Sequence, residues 1–162
     1  MIEDVIGMAA TQIQESTLIK TAFELAKKYH EGQVDKAEEP YIYHVLAVGL
    51  FAGLDAKDNK EMERLIAIGL LHDILEDTKL EISELRKRIK DPVVCDTVVI
   101  LTRKKDETYA EYILRVKESR LATIVKLADI ELHLRSTNGF EMPESLKKRY
   151  EKARSALMDE NK

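Results

Sequence analysis

The sequence predicts an all-α protein, a single helical bundle of about eight helices that occupies residues 1–162. Apolar residues recur at intervals of three and four along almost the whole chain, which is the spacing of amphipathic helices. No internal repeat and no linker rich in Pro, Gly or Ser divides the chain. With 44% hydrophobic and 35% charged residues, 162 residues are enough to bury one core, so we expect one domain.

Caps and breakers predict the first three helices. Ser16 is a candidate N-cap of the first, which ends near Gly32. The second follows Pro40 and contains YIYHVLAVGLFAGL. Asp58 or Asn59 caps the third, which is expected to run without interruption through MERLIAIGLLHDILED. The polar stretch DAKDNK predicts a turn between the second and third helices, so these two should be antiparallel neighbours.

Five more helices are predicted in the second half of the chain. A short surface helix covers residues 83–90, and Pro92 suits the first turn of the next. That next segment, VVCDTVVIL, is β-branched enough to form a strand, but a helix is preferred because no partner strand is visible. The last three are TYAEYILRVKES, LATIVKLADIELHLRS and ESLKKRYEKARSALMDE, with the turn TNGFEMP before the last. Residues 1–10 have weak helical spacing and are expected to dock on the surface.

Charge and composition exclude several classes of function. A net charge of −4 argues against a sequence-independent grip on nucleic acid, and basic runs such as LKKRYEKAR are typical of solvated helix faces. The acidic start and the short apolar stretches predict neither export nor membrane insertion. Cys95 is the only cysteine, which fits a buried side chain in a reducing cytoplasm. A small molecule is therefore the expected partner, and a homodimer is left open.

The stretch LLHDILEDT places four ionisable groups within an apolar run. In a continuous helix His72 lies beside Glu76 and Asp73 lies beside Asp77, so one helix would carry a band of ligands and acids. A buried carboxylate costs several kcal/mol unless it is paired or coordinated, so a divalent cation is a natural reason for this pattern. The alternative is a polar edge exposed to water.

Two other segments strengthen the prediction of a metal site. PYIYH places His44 in an apolar helix, and VKLAD places Asp129 after an apolar run. Taken singly, His44 is more often a hydrogen-bonded core histidine and Asp129 the partner of a nearby Lys or Arg. Together with LLHDILEDT they supply the mixed nitrogen and oxygen ligands that suit Mn, Fe, Zn or Mg.

The order of the motifs HEGQ, EPYIYH, LLHDILEDT, LTR and VKLAD resembles the hydrolase half of the RelA/SpoT family, which belongs to the HD phosphohydrolases. The resemblance covers residues 21–135. It implies an HD-type helical bundle with one divalent ion in its core, usually manganese in this family. The implied metal ligands are His44, His72, Asp73 and Asp129.

The resemblance also implies a reaction. Glu76 and Asp77 would be the catalytic residues, acting as a pair around the attacking water. The implied substrate is guanosine tetra- or pentaphosphate (ppGpp or pppGpp), the nucleotides of the stringent response. Removal of the 3′-pyrophosphate would leave GDP or GTP.

Several positions depart from the family pattern. Asp35 and Lys36 stand where the family has an Arg-Lys pair that holds the nucleotide, Glu38 stands where it has Gly, and Val45 where it has Pro. An acid near a polyphosphate is unfavourable unless Asp35 turns outward or the substrate is less anionic.

The segment after Asp129 departs as well, because Leu132 and His133 stand where the family has His-Asn. His133 shares a helix face with Asp129. It could replace the family's Asn as a substrate contact, add a metal ligand, or be a surface or capping histidine.

The predicted substrate contacts are Lys36, Arg103, Tyr109, His133 and Arg135. The basic members, together with Lys126, could supply the local positive potential that a phosphate needs. Tyr109 belongs to a set with Tyr112 and Arg115 at intervals of three, for which core packing with a snorkelling Arg is the alternative.

Two other functions are alternatives to the hydrolysis of guanosine tetra- or pentaphosphate. One is an HD-type phosphatase that acts on a less charged nucleotide, which the acid at Asp35 favours. The other is a non-catalytic nucleotide-sensing module, which the presence of both Glu76 and Asp77 argues against, since a binding domain needs no activated water.

Overall fold

The computed structural model of the chain describes residue 11 and residues 13–135 and 141–159. Nine helices with defined bounds lie in this part of the chain, and its β structure is limited to one isolated bridge between Val34 and Pro40. The helices are α1 (Thr17–Tyr29), α2 (Tyr41–Gly53), α3 (Asn59–Leu71), α4 (Ile74–Asp77), α5 (Ile82–Arg88), α6 (Pro92–Leu101), α7 (Tyr109–Lys117), α8 (Arg120–Arg135) and α9 (Glu144–Met158). The all-α prediction is confirmed. Residues 1–10 and most of the predicted TNGFEMP turn lie outside the described residues.

Helix α3 forms the centre of the core. All of its residues from Leu65 to Leu71 are buried, and it packs against α1, α2, α6 and α8. Helices α2 and α3 touch through two glycines, because a Cβ atom built on Gly69 would lie only 2.3 Å from the Cα atom of Gly49. This close approach brings His44 of α2 to the carboxyl end of α3, where the ring centroids of His44 and His72 are 5.8 Å apart.

The prediction of one continuous helix through LLHDILED was wrong. Helix α3 ends at Leu71, and the chain resumes at Ile74 as the four-residue helix α4. The ring Nδ1 of His72 donates a hydrogen bond of 2.6 Å to the carbonyl of Gly69, the group that would accept the Asp73 amide in an unbroken helix. Side-chain competition for this carbonyl is a physical reason for the break, and it raises the helix count by one.

The predicted caps are confirmed at two helices. The hydroxyl of Ser16 accepts the amide of Ile19 at 3.2 Å, and the carboxylate of Asp58 accepts the amide of Glu61 at 2.8 Å. Each side chain satisfies an amide that the first turn of a helix leaves unpaired. The sequence therefore specifies where α1 and α3 begin.

The β-branched segment around Cys95 is helical, as predicted. Asp91 caps α6 by accepting the amides of Val93 and Val94, and Pro92 lies in the first turn. The thiol of Cys95 is buried. Local capping and burial of one face therefore outweigh the strand preference of these residues.

Helix α9 packs against α7 and α8 and closes one side of the bundle. Its buried residues are Tyr150, Ala153 and Leu157. None of the helices in the described part of the chain is both long enough and apolar enough to cross a membrane.

Candidate functional site

Four predicted metal ligands, His44, His72, Asp73 and Asp129, meet at the carboxyl end of α3. The Nε2 atom of His44 lies 3.0 Å from Oδ1 of Asp129, although 85 residues separate them in the sequence. The Nε2 atom of His72 lies 3.0 Å from Oδ2 of Asp73 and 3.6 Å from Oδ1 of Asp129. The side chains of His72 and Asp129 are almost completely buried. The fold therefore gathers two imidazoles and two carboxylates into one small volume.

The ring of His72 shows that this cluster fits a cation. Its Nδ1 donates to the Gly69 carbonyl, and its buried Nε2 has no partner in hydrogen-bond geometry. An unprotonated Nε2 turns a lone pair toward the carboxylates of Asp73 and Asp129. A proton or a metal ion is needed to relieve that repulsion.

Neighbouring side chains hold the carboxylates of Asp73 and Asp129 in place. The hydroxyl of Tyr41 donates a hydrogen bond to Oδ2 of Asp73. The ammonium group of Lys126, one turn before Asp129 on α8, donates to its Oδ2 at 2.8 Å. In each case one oxygen is held by a donor, which orients the ligand group. Sequence reasoning missed Tyr41, whose only signal was its place in the motif PYIYH.

The charges in this cluster are strongly coupled. Burial alone would raise the pKa of Asp129, but Lys126 and three histidines hold it well below its usual value. Burial alone would lower the pKa of His72, but Asp73 and Asp129 raise it well above its usual value. The two carboxylates therefore favour a positive charge at His72, in the place where a cation fits.

Glu76 and Asp77 lie beside the metal-ligand cluster in different environments. Oε1 of Glu76 accepts the backbone amide of Arg103 at 2.8 Å, which fixes its carboxylate against the loop between α6 and α7. Partial removal from water, followed by the negative charges of Asp73 and Glu76, raises the pKa of Asp77 to about 6. The two acids therefore differ, since one is held by a donor and the other takes up a proton near neutral pH.

A cavity of about 210 Å³ opens beside these residues. Its acidic lining consists of Asp73, Glu76, Asp77 and Asp129. Its basic lining consists of Arg103, Lys126 and Arg149. A cavity lined by both carboxylates and cations suits a ligand whose phosphate must approach a metal ion and a water.

The C-terminal helix contributes two residues that the sequence analysis assigned to a solvated surface. Arg149 and Tyr150 of α9 line the cavity. The guanidinium carbon of Arg149 lies 4.6 Å from the centre of the Tyr109 ring, and that of Arg103 lies 6.0 Å from it. The hydroxyl of Tyr109 is buried and has no hydrogen-bond partner. The Arg-Tyr pair in an otherwise Lys- and Glu-rich helix was the available signal.

The other predicted substrate contacts divide into two groups. Arg103, Tyr109 and His133 line the cavity, whereas Lys36 and Arg135 are absent from its lining. Arg135 is exposed at the end of α8 and pairs with Glu131 at 3.4 Å.

Asp35 and Arg115 form hydrogen bonds that hold nearby loops in place. The Asp35 carboxylate accepts the amides of Ala37 and Glu39, so it closes the turn of its own loop. Arg115 donates to Glu107 and to the carbonyls of Ile100 and Thr102, and it therefore braces the loop that carries Arg103.

The helical fold and the cluster of two histidines and two aspartates are those of an HD domain. The family model described as the HD domain matches residues 41–132, from the first residue of α2 to near the end of α8. This range contains all four candidate ligands and covers more than half of the chain. The chain belongs to the HD-domain family and resembles the hydrolase domain of the RelA/SpoT family.

The chain is also similar in sequence to named bacterial proteins. Over 133 residues, or 76% of this chain, it is 35% identical to the guanosine-3′,5′-bis(diphosphate) 3′-pyrophosphohydrolase of Borreliella burgdorferi. Over 156 residues, or 90% of this chain, it is 33% identical to the GTP pyrophosphokinase of Streptomyces coelicolor. The matched regions make up only 19% and 18% of those two proteins, respectively.

A solved structure resembles most of this chain. It is that of a metazoan ortholog of SpoT, which is described as hydrolysing ppGpp and as having a role in starvation responses. The TM-score is 0.68 and the identity 25%, and the match covers 88% of this chain and 84% of that one. The chain in that solved structure is therefore close in length to the chain described here, whereas the two relatives named above are much longer.

Proposed function

We propose that the protein is a metal-dependent hydrolase that removes the 3′-pyrophosphate from guanosine tetra- or pentaphosphate to give GDP or GTP. The observation that carries the proposal is the unpartnered Nε2 of His72, which faces two carboxylates beside a cavity lined by further acids and by arginines. The named hydrolase relatives support the choice of substrate.

His44, His72, Asp73 and Asp129 would hold one divalent ion, for which we propose Mn²⁺. These side chains offer nitrogen and oxygen donors, which this ion accepts. When bound, such an ion lowers the pKa of a coordinated water and polarises a phosphoryl oxygen. We also propose the cytoplasm as the compartment, since the lone cysteine is free and buried.

Glu76 and Asp77 would divide the handling of the attacking water. Because its pKa is about 6, Asp77 can accept the water's proton at neutral pH and return it nearby. Glu76 is already held by the Arg103 amide, so its role would be to orient the water. Water adds to the phosphorus, and the bond between that phosphorus and the 3′-oxygen breaks. The 3′-oxygen leaves with a proton.

The cationic part of the cavity would bind the phosphates. Arg103 and Arg149 lie on the ring of Tyr109, whose hydroxyl is unpaired and can donate to a phosphate oxygen. Arginine suits this task because its guanidinium group stays charged and donates from a fixed plane. Arg149 could thus replace part of the charge that the loop at Asp35 lacks.

A less charged nucleotide is the second candidate substrate. The family's basic pair is reduced to Lys36 here, and Asp35 carries a negative charge in that loop. The Asp35 carboxylate accepts two amides of its own turn, and because it is an anion it offers no positive contact to a second group of phosphates. This rival shares the metal site and the acids with the first proposal and differs only in the nucleotide.

A product assay separates these proposals. The purified protein is incubated with Mn²⁺ and either guanosine tetraphosphate or a panel of ordinary nucleotides, and the products are resolved by anion exchange. Pyrophosphate released from the tetraphosphate, and abolished in His72→Ala, supports the first proposal. Turnover of another nucleotide alone supports the second. Binding without turnover, in protein shown to contain metal, supports a sensing module and contradicts both.

A further inference from the structure

We propose that His133 is an additional metal ligand, so that this chain holds its ion with three imidazoles instead of two. The inference rests on the proposed metal site and extends it by one residue. His133 stands on α8 one turn after Asp129, and its Nε2 lies 3.1 Å from Oδ1 of Asp129. A donor atom of His133 also lies within 4.8 Å of donor atoms of His44 and Asp129, which together form a possible set of three ligands.

The distances match those between ligands that share an ion. Two donor atoms bound side by side to an octahedral ion at about 2.1 Å lie about 3.0 Å apart. The Nε2 atoms of His44 and His133 lie 3.0 Å and 3.1 Å from the same Asp129 oxygen. Both imidazoles therefore have the spacing of neighbouring positions in one coordination shell.

Hydrogen bonding alone explains this arrangement poorly. Three imidazole nitrogens, from His44, His72 and His133, lie within 3.6 Å of Oδ1 of Asp129. The other oxygen of that carboxylate already accepts the Lys126 ammonium. To satisfy three N–H donors at one oxygen would require three protonated or correctly tautomeric rings in one buried cluster. A cation bound to the same atoms satisfies all three lone pairs at once.

The surroundings of His133 hold its ring in place. The ring is nearly parallel to that of Tyr150, at 3° and 5.2 Å between centroids, and it lies 4.7 Å from the ring of His44. Its side chain is 28% exposed. A ligand fixed in this way loses little rotamer freedom when an ion binds, which favours tight binding.

A third imidazole changes the chemistry of the site. Nitrogen ligands suit Fe, Co, Ni and Zn ions, whereas carboxylate and water ligands suit Mg and Mn. His133 should therefore raise the affinity for every divalent ion of the first transition row. The gain should be largest for ions late in the order Mn, Fe, Co, Ni and Cu. Replacement by Asn, the residue of the family pattern at this position, should remove that bias.

The test measures metal binding without substrate, so its result is independent of which nucleotide is hydrolysed. Mn²⁺ and Co²⁺ are titrated into wild type, His133→Asn and His133→Gln, and pulsed electron paramagnetic resonance of the Mn²⁺ forms counts the coupled ring nitrogens. His44→Asn serves as the positive control, and Lys148→Asn, an exposed change on α9, as the negative one. Circular dichroism of the metal-free variants checks that each is folded.

The proposal expects affinity at least about tenfold lower in both His133 variants, a larger loss for Co²⁺ than for Mn²⁺, and one nitrogen fewer than in wild type. An unchanged nitrogen count overturns it, even where affinity falls, because His133 then acts from outside the coordination shell. An effect of His133→Asn on KM alone assigns the residue to substrate instead. Failure of His44→Asn to weaken binding would refute the proposed metal site itself.

Discussion

Replacement of Gly69 by Ala tests whether the backbone contact between α2 and α3 positions the site. The new Cβ would lie 2.3 Å from the Cα atom and 2.5 Å from the nitrogen of Gly49. Carbon atoms in contact normally lie about 3.5–4.0 Å apart, so the helices must separate by about 1.2 Å or more. The opposing atoms are backbone, which no change of rotamer can move away.

The expected cost follows from two opposing effects. Overpacking of a core costs about 1–3 kcal/mol, and a backbone clash belongs at the upper end or beyond. Ala stabilises a helix by about 1 kcal/mol relative to Gly. The net result for Gly69→Ala is a loss of about 2 kcal/mol, which corresponds to a fall of about 4–8 °C in Tm.

Urea and thermal unfolding of the metal-free protein measure this loss, with Gly53→Ala as the matched control. A Cβ on Gly53 would meet only side chains, those of Ile66 at 3.0 Å and Met62 at 3.5 Å, so that variant should have nearly the stability of wild type. Metal affinity should also fall in Gly69→Ala, because α2 carries His44. Equal stability of the two variants would refute the argument that α2 and α3 are in backbone contact.

Three further predictions concern charge and backbone strain. Glu38 has a φ of 63°, so Glu38→Gly should stabilise the protein by about 1 kcal/mol in urea unfolding, whereas Ala37→Gly should not; equal effects would exclude strain at Glu38. Because the carboxylates raise the pKa of His72, an ion must displace its proton: affinity should rise with pH, and calorimetry in buffers of different ionisation enthalpy should show proton release. Affinity independent of pH would contradict this. The raised pKa of Asp77 means that its contribution to stability is fully present below about pH 4 and is lost as the pH rises through about 6. Asp77→Asn should therefore raise the Tm of the metal-free protein at pH 7.5 and leave it nearly unchanged at pH 4; a fall at pH 7.5 would show that the charged form is stabilised.

Local signals in the sequence accounted for most of the helices. Ser16, Asp58 and Pro92 mark helix starts by chemistry that acts within one turn, and the apolar period shows which face is buried. The ligand set could be proposed because its members interrupt apolar runs and because the resemblance to the RelA/SpoT family implies them: His44, His72, Asp73 and Asp129. Their roles remain predictions, while their closeness in space is a property of the fold.

The break at His72 and the contribution of α9 could not be predicted in the same way. The break depends on the direction of one imidazole toward the Gly69 carbonyl, which periodicity does not encode. Arg149 and Tyr150 reach the cavity only because α9 folds back on α7 and α8, a tertiary choice invisible in a charged helical pattern. The contact between Gly49 and Gly69 likewise exists only once two helices are packed.

The metal-ligand cluster at the broken helix would also affect how the protein unfolds. The cluster joins α2, the junction of α3 and α4, and α8, and its most distant members are 85 residues apart in the chain. An ion held there would act as a reversible cross-link that restricts the unfolded chain in the way a disulfide does. Amide exchange in these three regions should slow together when metal is added, whereas α5, on which no ligand lies, should respond least. Because the chain has a single cysteine, it cannot form an intrachain disulfide, and a bound metal ion would provide the equivalent cross-link.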